Sequence, residues 1–228
     1  MSRAPSAALL ALALLLIAGA TPCRAQISGA LPPEEPADTP AFPPLPAAEA
    51  EAVHAALRAY ISAVVRRDGA AAVQAVTRGT RGYYAHARDL ALTATEPEVR
   101  AAPLMDRVSI LMYRHRVPAE VLRRIAGDSA FAHTISAGWV AAPAGQPPTG
   151  GPVLGRGDRA VIRDRGASMQ FLREDGAWRW NMMPLIQSMS RELAASLPTG
   201  MTEEQFIFRM LEMSTGRPAS PSIWQPVQ

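Results

Sequence analysis

His86 and Asp89 stand three residues apart in a segment of helical periodicity, which puts an imidazole and a carboxylate on one helical face. Such a pair can relay a proton, or give a metal ion two ligands with His115 or His133 as a third. Tyr60 and Tyr83 add phenolic hydroxyls that could hydrogen-bond a developing oxyanion. Tyr60, Tyr83, His86, Asp89 and His115 are therefore the residues suited to abstracting a proton beside a carbonyl, with Tyr60, His86 and Asp89 as the catalytic candidates. A second constellation is apolar. Trp178, Trp180 and Met182 alternate along one short run, and Met169 and Phe171 can lie beside them on its neighbour. Such a face is either ordinary core or the wall of a hydrophobic pocket, in which Tyr60, Met169, Phe171, Trp178 and Trp180 would touch the ligand.

Other chemistries lack their signatures. There is no serine in a Gly-x-Ser-x-Gly setting, no glycine-rich loop running from strand to helix and no metalloprotease motif. His86 and Asp89 are the one pair at ligand spacing, so neither a metal nor any other cofactor is expected. The polar residues within the strand runs are Ser168, Gln170, Arg179 and Asn181, whereas Asp158, Asp164, Glu174 and Asp175 fall in turns. An acid in a turn is a solvated acid, and a polar-poor interior points away from catalysis.

The elements that must position these residues are legible from periodicity. Val53, Leu57, Tyr60, Ile61, Val64 and Val65 mark an amphipathic helix stopped by Asp68 and Gly69. Short helices are expected over 70–76 and 81–92, and a capping box at Thr95 with Glu98 starts another. Leu104, Val108, Leu111, Met112 and His115 continue the helical period as far as Pro118, and two more short helices are expected over 119–125 and 129–137. The period then changes. Runs at 159–163, 167–173 and 177–183, separated by Asp164-to-Gly166 and Glu174-to-Gly176 turn chemistry, predict an antiparallel meander, with Val153 and Leu154 as a further strand. Helices starting at Pro184 and at the Thr202–Gln205 capping box follow, then an extended tail anchored by Trp224.

The N-terminus bears on where this chemistry would occur. Arg3 precedes an apolar run from Ala7 to Ala20 and small residues up to Ala25, the pattern of a secretory signal peptide cut after Ala25. Export to the periplasm or beyond is expected. Cleavage after Ala20 would retain Cys23, the one cysteine; lipidation there is disfavoured by Pro22. Cut after Ala25, the mature chain would have no cysteine, hence no disulfide or thiolate metal site, and would contain no transmembrane segment. All 23 basic residues are arginines, and loss of Arg3 and Arg24 leaves 21 against 20 acids. No arginine cluster is interleaved with aromatics, so nucleic acid is not an expected partner. The domain plan is a signal peptide over 1–25, a proline-rich flexible linker over 26–46, one α+β domain over 47–217 and an extended tail over 218–228.

The order of helix, Asp68-Gly69 break, second helix and late meander, with residues 64–69 and the aromatic, acidic-glycine turn and tryptophan pattern of 171–180, resembles the nuclear transport factor 2-like, or SnoaL-like, superfamily. The resemblance implies a cone: a curved antiparallel sheet packed on N-terminal helices around an internal pocket. The long helical middle and two C-terminal helices are additions to that plan. The superfamily includes ketosteroid isomerase, polyketide cyclases, dehydratases and non-catalytic binding modules, so the fold leaves the activity to the residues. Three readings follow. The first is an exported, non-catalytic domain holding a small apolar ligand or a partner protein, and the second is a SnoaL-like isomerase, cyclase or dehydratase. The third is an interaction scaffold or homodimer, since Leu185, Met189, Leu193, Phe206, Met210 and Leu211 on the late helices need cover.

Overall fold

The computed structural model describes residues 42–140, 151–164, 167–195 and 197–227. The expected signal segment, the arm up to residue 41, and Arg165 and Gly166 of one expected turn lie outside the described residues. Ahead of the sheet come α1 (Ala47–Val65), α2 (Gly69–Ala75), α3 (Arg78–Thr93), α4 (Glu96–Ala101), α5 (Leu104–Arg116), α6 (Ala119–Arg124) and α7 (Ser129–Ser136). Strands β1 (Val153–Arg156), β2 (Arg159–Asp164), β3 (Ala167–Glu174) and β4 (Ala177–Asn181) then form one antiparallel sheet in sequence order. Helices α8 (Met183–Ala195) and α9 (Glu203–Thr215) and a 3-10 turn (Pro221–Trp224) complete an α+β fold. No helix of the described residues is long and apolar enough to cross a membrane.

Local chemistry sets the boundaries. Arg67 turns to φ 55°, and the Asp68 carboxylate accepts from the Ala71 N–H at 2.9 Å, ending α1 and starting α2. Both halves of the capping box form at Thr95 with Glu98 and at Thr202 with Gln205. Asp175 and Gly176 adopt φ 53° and 77°, the two positive values a type I′ turn requires, and so join β3 to β4 by the tightest hairpin.

That hairpin dictates which side chains share a face. Phe171 pairs with Trp180, Arg173 with Trp178 and Ile162 with Met169, so the two tryptophans, Phe171 and Met169 do lie on one side of the sheet. Met182 does not join them. It falls beyond β4, which ends at Asn181, and is buried in the helical core instead.

Helix α1 is a partition between two apolar clusters. Val53 and Leu57 pack with Phe171, Trp178 and Ile162 of the sheet, while Tyr60, Ala63 and Val64 belong to the larger core built from α2 to α9. Both borders of the sheet are occupied. On the β1 side, Leu45 N–H donates to the Val153 carbonyl at 2.9 Å and Gly155 N–H to the Pro43 carbonyl at 2.9 Å. On the β4 side, Val76 bridges to Trp180, and the Thr77 N–H donates to the Trp180 carbonyl at 3.1 Å. Residues 43–45 of the expected linker therefore belong to the border of the sheet. Within the segment expected as an extended tail, Pro221–Trp224 forms a 3-10 turn that buries Ile223 and Trp224.

Candidate functional site

Of the five apolar ligand-binding candidates, Phe171 is fully buried and Trp178 and Tyr60 are nearly so, while Met169 and Trp180 are half-buried. Helix α1 brings Tyr60 edge-on to Trp180, with ring centroids 4.7 Å apart. Burial, with Tyr84 nearby as a lesser cause, pushes the Tyr60 hydroxyl far above the ordinary phenol range, so it stays protonated. These side chains pack on one another and on α1. At the rim, Glu49 of α1 accepts from Trp178 Nε1 at 3.0 Å and from Arg173, whose guanidinium lies 4.6 Å over the Trp178 ring. The rim is thus charged but internally paired. The closure comes from α1; α8 and α9 pack chiefly on α5.

The catalytic candidates are not brought together. Tyr60 lies at the α1–β4 contact, whereas His86 and Asp89 are exposed on α3. Asp89 pairs with Arg88 at 2.9 Å and its side chain is 62% exposed, so solvent rather than a cleft surrounds the carboxylate. Tyr83 donates from Oη to the Met105 carbonyl at 3.2 Å and shares a 2.9 Å bond with Ser109, which satisfies a core phenol. Among the described residues no three His, Cys, Asp or Glu side chains gather as a metal site.

What the sequence reading missed is a cleft at the C-terminal end of α5. Consecutive helical residues diverge by roughly 100° around the axis, so Arg114, His115 and Arg116 point three ways. Arg114 reaches the end of α3 and the C-terminal segment. Its Nε donates to the Ala91 carbonyl, its Nη1 to those of Ile223 and Trp224, and its Nη2 to those of Leu90 and Ala94, at 2.5–3.2 Å. All five N–H groups of the guanidinium are used, and among the described residues no carboxylate lies within ion-pair distance of it. His115 Nε2 bonds Thr215 Oγ1 at 2.8 Å, and Arg116 sits 5.0 Å over the Trp139 ring, against which His133 stands edge-on.

Arg114, His115 and Arg116, with Arg217 and Val227, line a cleft of about 330 Å³. A second, of about 240 Å³, adjoins it through Arg114, His115 and Val227 and reaches Ser220 and Ser222. Burial first, then the charges of Arg217 and Arg116, lower the His115 pKa, with a smaller opposing pull from Glu212. Burial and Arg116 do the same to His133. The arrangement is cationic, partly desolvated and concave. Its chemistry suits holding a negative group.

Comparison with protein-family models, with curated proteins and with solved structures finds no match to this chain.

Proposed function

We propose that the chain is an exported, non-catalytic binding domain of the nuclear transport factor 2-like kind, which meets its ligand or partner with its outer surface. The observation that carries this reading is the contact of Tyr60 with Trp180 beneath α1, which fills the place where a SnoaL-like enzyme would need a carboxylate beside a phenol. An apolar guest on that face would have to expose Val53 and Leu57, at a cost of about 3–6 kcal/mol for the pair. Recognition on the outside carries no such cost.

The test has two arms. Full-length protein is expressed in an exporting host, and the secreted or periplasmic form is recovered, its N-terminus sequenced and its native mass measured. Export with a start at Gln26, and a mass shift from a retained molecule or a co-purified protein, are the expected results. In the second arm the same protein is given ketosteroids and other enolisable carbonyl compounds. Turnover that Tyr60→Phe or Asp89→Asn abolishes would replace the binding reading with the enzymatic one.

A further inference from the structure

We propose that the cleft between the end of α5 and the C-terminal segment is a binding site for a small multivalent oxyanion, a phosphate or a polycarboxylate, held by Arg116 and Arg217 with Arg114 supplying the field behind them. This deepens the binding-domain reading and rests on it.

The charge balance is the first support. Arg114, Arg116 and Arg217 line one cleft, and among the described residues none of them has a carboxylate within ion-pair distance. Arg78, Arg81, Arg100 and Arg107, by contrast, each have a carboxylate partner. The negative end of the α5 dipole offsets only about half a unit charge, which leaves a clear positive excess.

Division of labour is the second support. Arg114 spends its hydrogen bonds on five carbonyls and is immobile, so it contributes charge without being able to turn toward a ligand. Arg116 and Arg217 keep donors for one. Arginine forks match the paired oxygens of phosphate and carboxylate alike, which is why the chemistry is stated as oxyanion. The shape is compatible too: about 330 Å³ lies at the lower end of the small-ligand range.

The third support is His115, set between these arginines and tied to Thr215. The charged and titratable groups around it are Arg114 and Arg116 on α5, Arg217 after α9, Glu212 on α9, and His133 on α7 beyond Arg116. An anion seated among them offsets the arginine charges that, after burial, lower the His115 pKa. Binding therefore takes up a proton and strengthens as pH falls through the histidine range.

The test is isothermal titration calorimetry of the mature chain, residues 26–228, with inorganic phosphate and separately with citrate, in low chloride at about pH 6 and about pH 8. Binding of either is expected, with proton uptake at the lower pH seen as a heat that varies with buffer ionisation enthalpy. Arg217→Glu, on an exposed residue, is expected to abolish it, while Arg58→Gln on distant α1 leaves it unchanged. Phosphate alone would name a phosphorylated ligand, and citrate alone a carboxylated one. Because phosphate and citrate also gain negative charge as pH rises, the proton-uptake heat must vanish in His115→Gln for the coupling to stand. Absence of binding by both anions, or equal loss in Arg58→Gln and Arg217→Glu, overturns the site. A retained apolar molecule or partner in the native mass would in that case leave the binding-domain reading intact.

Discussion

Arg114 Nη1 donates to the backbone carbonyl of Trp224 at 2.7 Å, across 110 residues of chain. Around this bond the end of the protein is closed: Arg100 lies 4.1 Å over the Trp224 ring, and Gln225 Nε2 donates to Glu96 at 3.0 Å. Leu90's carbonyl also accepts from the Ala94 N–H, but removing the guanidinium leaves the other four to find water inside a partly buried seam. Arg114→Met is expected to cost about 3 kcal/mol, since bonds to a charged donor contribute more than neutral ones. Arg114→Lys should recover little, because an ammonium has three donors and no planar fork. Denaturant titration and a melting shift of about 6–12 °C check this.

Phe171 and Trp180 face each other across β3 and β4. If they are core, Phe171→Ala costs about 3–5 kcal/mol and Trp180→Ala somewhat less because Trp180 is half-buried. If instead they wall a ligand site, stability would change little and binding would vanish. Tyr60→Phe, which keeps the edge contact with Trp180, is expected to leave the midpoint of urea unfolding almost unmoved.

Gly69 opens α2 where that helix crosses α7. A Cβ there would come within 2.3 Å of the Ala132 carbonyl oxygen and 2.6 Å of Ser136 Oγ. Alanine is the better helix former by up to about 1 kcal/mol, but backbone cannot step aside as a side chain can. Gly69→Ala is therefore expected to destabilise by about 1–3 kcal/mol, the opposite sign to its propensity.

His115 and His133 both titrate below their ordinary 6.5 in the folded protein. The unfolded chain then binds more protons than the folded one once the pH drops below about 6.5, so stability is present above that value and is lost on acidification. Unfolding midpoints measured from about pH 7.5 down to about pH 5 should fall, and His115→Gln with His133→Asn should flatten the slope. The carboxylates with lowered pKa, Glu98, Asp175 and Glu204, act in a separate window, below their ordinary values of 3.8 to 4.5.

Most of the architecture was legible because its signals are local. The Asp68 stop, the two capping boxes, the Asp175-Gly176 turn and the alternation of Trp178 with Trp180 each lie within a few residues and each operates as written. Boundaries slipped where a neighbour decided them. Met183 begins α8 rather than closing β4, and Met182 is buried after its N–H donates to Thr80 Oγ1 at 3.0 Å. Alternation could say that the tryptophan face is apolar but not that α1 covers it. The basic cleft left no local trace at all: Arg114, Arg217 and Val227 meet only through the path of α9 and the turn after it. A run of Arg114, His115 and Arg116 at a helix end reads, by itself, as a solvated terminus complementing the dipole.

The occupied borders of the sheet have a consequence for how copies of this protein behave when crowded. Residues 43–45 and Val76 take some of the rungs that an open strand would offer, so a stray extended segment finds fewer places to dock. Cross-β growth needs such a template, and the chain supplies its own cap at each side before any neighbour arrives.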